Sequence, residues 1–390
     1  MTATEPLPMP DSSAQQHSDQ LLKLIQQQIV ASGGKITFAD YMHLCLYAPG
    51  LGYYSAGSEK LGQHGDFTTA PEISPLFSRT LAHHIKDVFQ QLEQPNIIEF
   101  GAGSGKMATD ILIELAHIQC LPAQYFIIET SADLRERQQL KIAQLIPHLA
   151  DRVCWLNELP HHFVGVMLAN EVCDAMPVHC LKFSDGNVNE LYIEQHQSVL
   201  QWCEGKLSHP LLATRAAEIK SFIGNIDYVT EVNLAAEAWI ASLADALQQG
   251  AVFVIDYGHP KHSYYHLQRS NGTLMCYYQH QGHDNPLILQ GLQDITAHID
   301  FTALAQSAAD NDLDVAGFQS QADFLIAGGI TELVQQDGNT NELLMLQQAS
   351  EIKRLTLPSE MGENFKVLAL SRNLAHLLPR IQLRDQRYKL

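Results

Sequence analysis

The chain has 390 residues, of which 46% are hydrophobic and 17% are charged. This composition is that of one or two globular domains, and it excludes a disordered or fibrous protein. The formal net charge is −19, from 24 Lys and Arg against 43 Asp and Glu, so the chain repels nucleic acid and attracts cationic substrates or basic proteins.

The cysteines and the N-terminal residues indicate the cellular compartment in which the protein is expected. The seven cysteines are scattered and include no C-x-x-C pair, which is typical of a reducing environment. The first residues have neither a basic start nor an apolar stretch, and no apolar run approaches the roughly 18 residues of a membrane span. We therefore expect a soluble, cytoplasmic protein with no membrane span. A homo-oligomer is left open.

The N-terminal part is predicted to contain a leader, two helices and a long loop. Residues 1–18, rich in Pro, Ser and Gln, are predicted to form a disordered leader. Apolar residues at helical intervals over 21–29 predict one helix, and Thr37 is placed as the N-cap of a second. The glycine-rich residues 48–72 predict a long ordered loop, and loops of this length are usually functional. We expect residues 19–94 to form a helical segment with a lid.

From residue 95 onward, strand-like and helix-like segments alternate. This rhythm predicts an α/β fold with a doubly wound, mostly parallel sheet over residues 95–372. Insertions are expected at 175–226 and at 259–300. In the first, alternating apolar and polar residues and an Asp-Gly turn predict antiparallel strands. Residues 373–390 are expected to form a C-terminal tail. The predicted strands are 96–100, 124–129, 152–155, 164–170, 251–257 and 365–371, the last at the sheet edge, and the predicted helices are 104–118, 131–144, 234–249 and one from about 302.

The first strand of this sheet leads into three alternating glycines. Gly101, Gly103 and Gly105, with Ala102 between the first two, open the next helix, and glycine permits both a sharp turn and the close approach of a ligand. Glu99, at the end of the strand, would repel a pyrophosphate but could accept hydrogen bonds from an ammonium group. The turn therefore favours S-adenosylmethionine (SAM) over a dinucleotide.

A second acid, Glu129, closes the next strand. A carboxylate at that position can accept hydrogen bonds from both hydroxyls of an adenosine ribose. NAD-binding proteins also place an acid there, so Glu129 supports a ribose without separating the two cofactors. The structural alternative is a solvated acid at the end of a strand.

Seven segments, in order, resemble the MidA-like family of class I SAM-dependent methyltransferases, which are related to the mitochondrial complex I assembly methyltransferase. The resemblance runs from about residue 20 to 372. One departure is visible, because relatives often carry Pro and Arg where this chain has Ala102 and Ser104. The segments are GYY at 52–54, GDFTTAPEIS at 65–74, EFGAGSG at 99–105, ANEVCDAMP at 169–177, DYG at 256–258, DITAHIDF at 294–301 and MGENFK at 361–366.

The resemblance implies a Rossmann-like sheet with an added antiparallel edge strand and SAM at the carboxyl ends of the first strands. It also implies methylation of a protein side chain, with arginine the favoured acceptor, as in the characterised mitochondrial member. A subunit of respiratory complex I or a similar protein would then be the partner.

The best catalytic candidates follow the fourth predicted strand. Methyl transfer from a sulfonium is an in-line displacement, so an enzyme mainly orients the acceptor and excludes water. A guanidinium acceptor is protonated near neutral pH and needs carboxylates to hold it, for which Glu171 and Asp174 are the candidates. Asn170 could hydrogen-bond the acceptor or the SAM amino group. Alternatively, Asn170 and Asp174 form a turn and Glu171 begins a helix.

The remaining candidates lie in the lid and in the later segments. Asp66, Thr68 and Glu72 could bind the amino acid end of SAM, with Asp66 also a candidate for the substrate, although a helix cap is the structural alternative. Tyr54 could line the pocket rim or act as a plain anchor. Further candidates for substrate binding are Asp256, Tyr257 and His298. For Asp256, a structural role in pairing at the end of its strand is an equally good explanation.

The sequence gives less support to other functions. The chain has 19 histidines but no H-E-x-x-H pattern, so no metal is predicted. Two alternatives stay open: an NAD-dependent oxidoreductase, and a non-catalytic assembly factor that retains the cofactor site.

Overall fold

The computed structural model describes residues 7–56, 69–336 and 341–390. The chain divides into two compact units, each assembled from three separated segments. The N-terminal unit consists of the described residues of Met1–Phe67, Asp174–Ala236 and His262–His298. The sheet unit consists of the described residues of Thr68–Cys173, Glu237–Lys261 and Ile299–Leu390.

Strands and helices alternate through the described residues. The strands are β1 (Lys35–Thr37), β2 (Asn96–Phe100), β3 (Tyr125–Ile128), β4 (Val153–Leu156), β5 (Phe163–Asn170), β6 (His179–Ser184), β7 (Asn187–His196), β8 (Val199–Gly205), β9 (Tyr228–Val232), β10 (Leu247–His259), β11 (Met275–Tyr278), β12 (Gln281–His283), β13 (Asp294–Thr296), β14 (Ile299–Asp300), β15 (Asp314–Ser320) and β16 (Phe365–Arg372).

The helices follow the same order along the chain. They are α1 (Ser12–Ala31), α2 (Phe38–Tyr47), α3 (Ala70–Ile73), α4 (Pro75–Phe89), α5 (Lys106–His117), α6 (Ala132–Leu145), α7 (Pro210–Ile223), α8 (Leu234–Ala246), α9 (Lys261–Tyr264), α10 (Phe301–Asp310), α11 (Gln321–Gly328), α12 (Ile330–Gln336), α13 (Glu342–Thr356), α14 (Met361–Asn364) and α15 (Pro379–Gln382).

The sheet unit is built on a largely parallel sheet in the order β15-β16-β10-β5-β2-β3-β4, with β14 also paired to β10. Strands β4, β3, β2, β5 and β10 are parallel, and Ile97 of β2 pairs with Tyr125 of β3 and Val166 of β5. Strands β5 and β10 are almost continuously apolar and buried, because helices cover both faces of such a sheet. The carboxyl ends of the parallel strands share one edge, which brings the segments after β2, β3 and β5 to the same side.

The predicted position of the last strand is wrong. Strand β16 is antiparallel but lies inside the sheet, where Leu370 pairs with Val252 on one side and Val315 on the other. The edge strand is β15, which the sequence analysis did not identify. Six consecutive residues of β16 are buried, a run typical of an interior strand, whereas an edge strand needs no such pattern.

The chain termini are more ordered than predicted. Helix α1 begins at Ser12, inside the predicted leader, because the Asp11 carboxylate accepts a hydrogen bond from the Ala14 N–H at 2.8 Å and caps the helix. The predicted tail packs along the edge strand β15: the Gln386 N–H donates to the Phe318 carbonyl at 2.7 Å, and Arg387 Nη1 donates to the Val315 carbonyl at 2.7 Å. These bonds occupy backbone groups that an exposed edge would leave open.

The N-terminal unit contains the antiparallel strands predicted after Asp174. Strands β1, β7, β6 and β9 form a sheet in that order, with β8 also paired to β7. Asp185 and Gly186 have positive φ and turn β6 into β7, as predicted. The predicted insertion at 259–300 includes the short strands β11 and β12, and β11 also pairs with β13.

Candidate active site

The glycine turn joins β2 to α5 in the sheet unit. Gly101, Gly103 and Gly105 have φ values of 61°, 53° and 78°, in the left-handed region that other residues adopt only at a cost. The Gly105 N–H donates to the Ala102 carbonyl at 2.8 Å and closes the turn. The three left-handed glycines therefore leave alternate positions of the turn without side chains at the carboxyl end of the sheet, which allows a ligand to approach closely.

Glu99 lies just before this turn and is almost completely buried. The Tyr125 hydroxyl donates to its Oε2 at 2.6 Å. Burial, with a smaller contribution from the nearby Glu129 charge, raises the pKa of Glu99 to about 7, against the lowering effect of the Tyr125 hydrogen bond. The carboxylate that the sequence analysis assigned to an ammonium group thus already has one protein partner, and Tyr125 was not identified from the sequence.

Glu129 follows β3 directly. Its Oε1 accepts a hydrogen bond from the Ser131 N–H at 2.9 Å, and its Oε2 accepts one from Gln138 Nε2 at 3.1 Å. Burial raises its pKa, and these two hydrogen bonds oppose the rise. The two bonds fix the orientation of the carboxylate while leaving lone pairs for hydroxyl donors, since an ionised carboxylate can accept about four hydrogen bonds.

Glu72 contacts the glycine turn. Ser104 Oγ donates to Glu72 Oε1, and Lys141 Nζ donates to Ser104 Oγ at 3.0 Å. Glu72 therefore reaches the turn through Ser104, one of the two positions that depart from the family pattern. The other two lid candidates, Asp66 and Thr68, lie outside the described residues.

The segment after β5 lies beside the glycine turn. Val172 Cγ2 would be 3.5 Å from a Cβ placed on Gly101. Asn170 Nδ2 donates to Glu171 Oε1 at 3.2 Å, while Asn170 Oδ1 is buried and has no hydrogen-bond partner among the described residues. Glu171 has a φ of 53°, a left-handed conformation that is unusual for glutamate and frequent at functional sites. It does not begin a helix.

Asp256 supports this segment through backbone contacts. Its Oδ2 accepts from the Cys173 N–H at 3.0 Å and its Oδ1 accepts from the Tyr257 N–H at 2.9 Å, and the side chain is fully buried. The Tyr257 ring packs edge-on against Phe365, with centroids 5.5 Å apart. Both observations agree with the strand-end pairing considered for Asp256.

Three of the described candidates, Tyr54, Asp174 and His298, belong to the N-terminal unit. The Tyr54 hydroxyl donates to Asp294 Oδ1 at 3.0 Å and to Oδ2 at 3.1 Å. Burial raises the Tyr54 pKa, as do the Asp294 and Asp174 charges, so the hydroxyl keeps its proton. Burial, assisted by Arg269, lowers the pKa of His298 to about 4, so the ring is neutral at pH 7. Asp294 opens one of the family segments, but its pairing with Tyr54 had no local sequence signal.

The groups of the sheet unit fit an adenosine that carries a cationic amino acid. Glu129 has lone pairs that could accept from ribose hydroxyls, and the buried, unpartnered Asn170 Oδ1 could accept from an ammonium. Among the described residues, no cluster of three or more His, Cys, Asp or Glu side chains could hold a metal ion.

The chain is similar to known methyltransferases. Residues 80–319 match a family described as "Putative S-adenosyl-L-methionine-dependent methyltransferase". A solved Burkholderia thailandensis structure bound to S-adenosyl-homocysteine is 38% identical with a TM-score of 0.94, covering 99% of this chain and 100% of that one. Protein arginine methyltransferase NDUFAF7, mitochondrial, from Homo sapiens is 27% identical over 92% of this chain and 84% of its own. The Drosophila melanogaster homolog of that protein is 27% identical over 93% of this chain and 87% of its own.

The two arginine methyltransferase relatives contradict the predicted cytoplasmic location, because both are described as mitochondrial. The prediction rested on scattered cysteines and the absence of a secretory signal, and these features report a reducing environment without distinguishing one such compartment from another. None of the seven cysteines, all within the described residues, forms a disulfide. No helix in the described part of the chain is long and apolar enough to cross a membrane.

Proposed function

The chain belongs to the S-adenosyl-L-methionine-dependent methyltransferase family, and on that premise we propose that its methyl acceptor is a protein side chain, with arginine the favoured residue. Family membership confirms the predicted enzyme class, fold and SAM cofactor, and it removes the NAD-dependent alternative. Arginine is favoured because the named relatives are protein arginine methyltransferases. The respiratory-chain subunit implied by the family resemblance stays a proposal.

The main support for the cofactor site is that the glycine turn and Glu129 follow the adjacent parallel strands β2 and β3, at the same edge of the sheet. We assign the ribose hydroxyls to the Glu129 carboxylate and the SAM ammonium to Asn170 Oδ1 and Glu99. The backbone of 101–105 would lie against the cofactor. Glu72 supports this assignment by fixing Ser104, and Thr68 remains a candidate from the sequence alone.

SAM supplies an electrophilic methyl group on sulfur. The protein's task is then to hold one guanidinium nitrogen in line with that group and to exclude water. Glu171 is proposed to accept hydrogen bonds from the guanidinium and to assist loss of its proton, and Asp174 is proposed to balance its charge. The left-handed backbone at Glu171 supports a functional role, because such strain persists where the side chain must point in a required direction.

The other substrate candidates receive narrower roles. Asp256 is proposed to act indirectly, by holding the Cys173 N–H and therefore the turn that carries Glu171. Tyr54 is proposed to contribute through Asp294, whose two oxygens its hydroxyl engages. Tyr257, His298 and Asp66 remain substrate-binding candidates.

The proposal is tested by incubating the purified protein with methyl-labelled SAM and arginine-rich proteins, followed by amino acid analysis. We expect label in methylarginine, and we expect Gly103→Val to abolish transfer because a branched side chain is excluded from a left-handed turn. Glu171→Gln and Asp174→Asn should lose transfer but keep S-adenosylhomocysteine binding. The exposed acids Glu136 and Asp185 provide matched controls, Glu136→Gln and Asp185→Asn.

The outcomes separate the competing functions. Label in methyllysine would overturn arginine as the acceptor while leaving the enzyme class intact. Cofactor binding without transfer to any protein would support the non-catalytic assembly factor. Mass spectrometry of respiratory-chain subunits from cells with and without this protein would identify the acceptor.

A further inference from the structure

We propose that Gln138 is a positioning residue for the cofactor, holding the glycine turn and the ribose-binding carboxylate in one fixed geometry. The inference rests on the ribose site at Glu129 proposed above. Gln138 lies on α6, a helix whose other residues are mostly exposed, yet its own side chain is completely inaccessible to solvent. Neither the glycine motif nor the family segments include it.

The Gln138 amide joins three elements. Its Nε2 donates to the Gly103 carbonyl at 3.0 Å and to Glu129 Oε2 at 3.1 Å. Its Oε1 accepts from Trp155 Nε1 at 2.9 Å. The contacted residues lie at the carboxyl ends of β2, β3 and β4, so one side chain connects three neighbouring strands at the edge where the cofactor is placed.

The chemistry of the three partners requires an amide in this orientation. An indole N–H can only donate, so the atom facing Trp155 must be the Gln138 oxygen. The Gly103 carbonyl can only accept, and so does Glu129 when ionised, so the two N–H groups must face them. A glutamate here would lack both donors, and a methionine would fill the volume without hydrogen bonds. Glutamine alone among residues of this size satisfies all three partners.

The consequence is a cofactor cradle that is ordered before ligand binds. Without the Gln138 hydrogen bonds, the backbone at Gly103 would be flexible because glycine has no side chain, and the Glu129 side chain could rotate away from the ribose hydroxyls. Fixing both groups in advance removes an ordering cost from binding. The Gln138 side chain lies too deep to contact substrate, so its influence is expected on cofactor affinity and not on the chemical step.

The first test compares Gln138→Met with Gln139→Met, the same substitution at the exposed neighbouring glutamine. Calorimetry with S-adenosylhomocysteine should show a loss of about tenfold to a hundredfold for Gln138→Met, as expected for lost hydrogen bonds that include one to a charged group, and no change for Gln139→Met. The KM for SAM should rise in the same proportion while kcat stays within about twofold. A loss confined to kcat, or equal affinities for the two variants, overturns the proposal.

A double-mutant cycle with Glu129→Gln separates positioning from general stability. If Gln138 acts through Glu129, the double variant loses less affinity than the product of the two single losses. Strictly multiplicative losses overturn the proposal. If Glu129→Gln alone binds S-adenosylhomocysteine like the unchanged protein, the proposed ribose site itself fails.

Thermal unfolding of each variant provides the folding control. Should Gln138→Met not fold, Gln138→Glu at pH 8 replaces it, because it keeps the shape and the acceptor for Trp155 but loses both donors. Unchanged affinity in that variant also overturns the inference.

Discussion

At the scale of single residues, Glu99 makes stability depend on pH. Burial raises its folded pKa to about 7 from an ordinary value of 4.5, so between these pH values the folded chain holds a proton that the unfolded chain has lost. The stabilisation by the protonated carboxyl is therefore fully present below about pH 4.5 and is lost as the pH rises through 7.

Replacing Glu99 with Gln should remove this loss. The amide is neutral at every pH and its oxygen can still accept from the Tyr125 hydroxyl. We expect the free energy of unfolding of the ligand-free protein to rise at pH 8 by up to about 3 kcal/mol, with little change near pH 5. Urea unfolding at the two pH values measures this, and an equal effect at both would contradict it. The same variant should bind SAM more weakly, because it removes the negative charge proposed to balance the ammonium.

A second residue-scale prediction concerns the left-handed backbone at Glu171. Left-handed backbone costs a non-glycine residue about 1–2 kcal/mol, and glycine avoids that cost but loses about 0.5–1 kcal/mol through the unfolded chain. Glu171→Gly should therefore be as stable as the unchanged protein or up to about 1.5 kcal/mol more stable, while methyl transfer is lost. Asp185→Gly, at an exposed left-handed turn, is the control that should show the same stability change with full transfer.

The cofactor candidates could be predicted at this scale only where the signal is local. Alternating glycines after an apolar strand indicate a left-handed turn because few other residues tolerate it, and the spacing places Glu129 after the next strand. Gln138 gives no such signal, since its importance arises from Gly103 and Trp155, which lie 35 and 17 positions away along the chain. Asp294 is similar, because its partner Tyr54 is 240 positions away.

At the scale of elements, two of the central strands, β5 and β10, require glycine near their beginnings. A Cβ on Gly165 of β5 would lie 2.0 Å from the Asn96 carbonyl oxygen of β2, and a Cβ on Gly250 of β10 would lie 1.8 Å from the Gly165 carbonyl oxygen. Both glycines also have φ values above 140°. The strands can pair at this end only if neither residue has a side chain.

Gly165→Ala should therefore destabilise the fold strongly. Separating two paired backbones and imposing an unfavourable φ is expected to cost more than about 3 kcal/mol. The matched control is Gly186→Ala in the β6–β7 turn, which has a φ of 77° but no atom within 4 Å of the new Cβ; it should cost only about 1–2 kcal/mol. Chemical denaturation of both variants makes the comparison, and similar losses would show that φ, not the strand contact, is the limiting factor.

Most elements were predictable because their signals are periodic and short in range. Strands β2, β5 and β10 are apolar runs bounded by turn residues, and the Thr37 cap correctly marked the start of α2. The order of strands was less accessible. Placing β16 between β10 and β15 depends on pairings with residues that are more than a hundred positions away on one side, and no local pattern encodes such a choice.

At the scale of the whole molecule, the N-terminal unit illustrates the same limit. The insertions after Asp174 and near residue 259 were visible as breaks in the βαβ rhythm. Their association with the first helices was not, because it depends on long-range contacts such as the pairing of Ile36 with Ile193 and the hydrogen bond from the Tyr41 hydroxyl to the Pro286 carbonyl at 2.6 Å. A hydrophobic cluster that includes Leu21, Tyr41 and Ile295 forms from all three segments of that unit.

The charge of the whole chain leads to a prediction about substrate encounter. With a formal net charge of −19, the protein should attract an arginine-rich substrate over distances set by the Debye length, about 10 Å at 0.1 M salt and about 3 Å at 1 M. We expect kcat/KM for a basic protein substrate to fall about tenfold or more between low and high salt, mainly through KM, since steering of this kind changes association rates by about 10–1,000-fold. Initial rates across a sodium chloride series measure the effect. The affinity for S-adenosylhomocysteine serves as the internal control and should change little, because this zwitterionic ligand carries no net charge for the field of the chain to attract. A kcat/KM that does not respond to salt would mean that short-range contacts, and not the field of the chain, select the substrate.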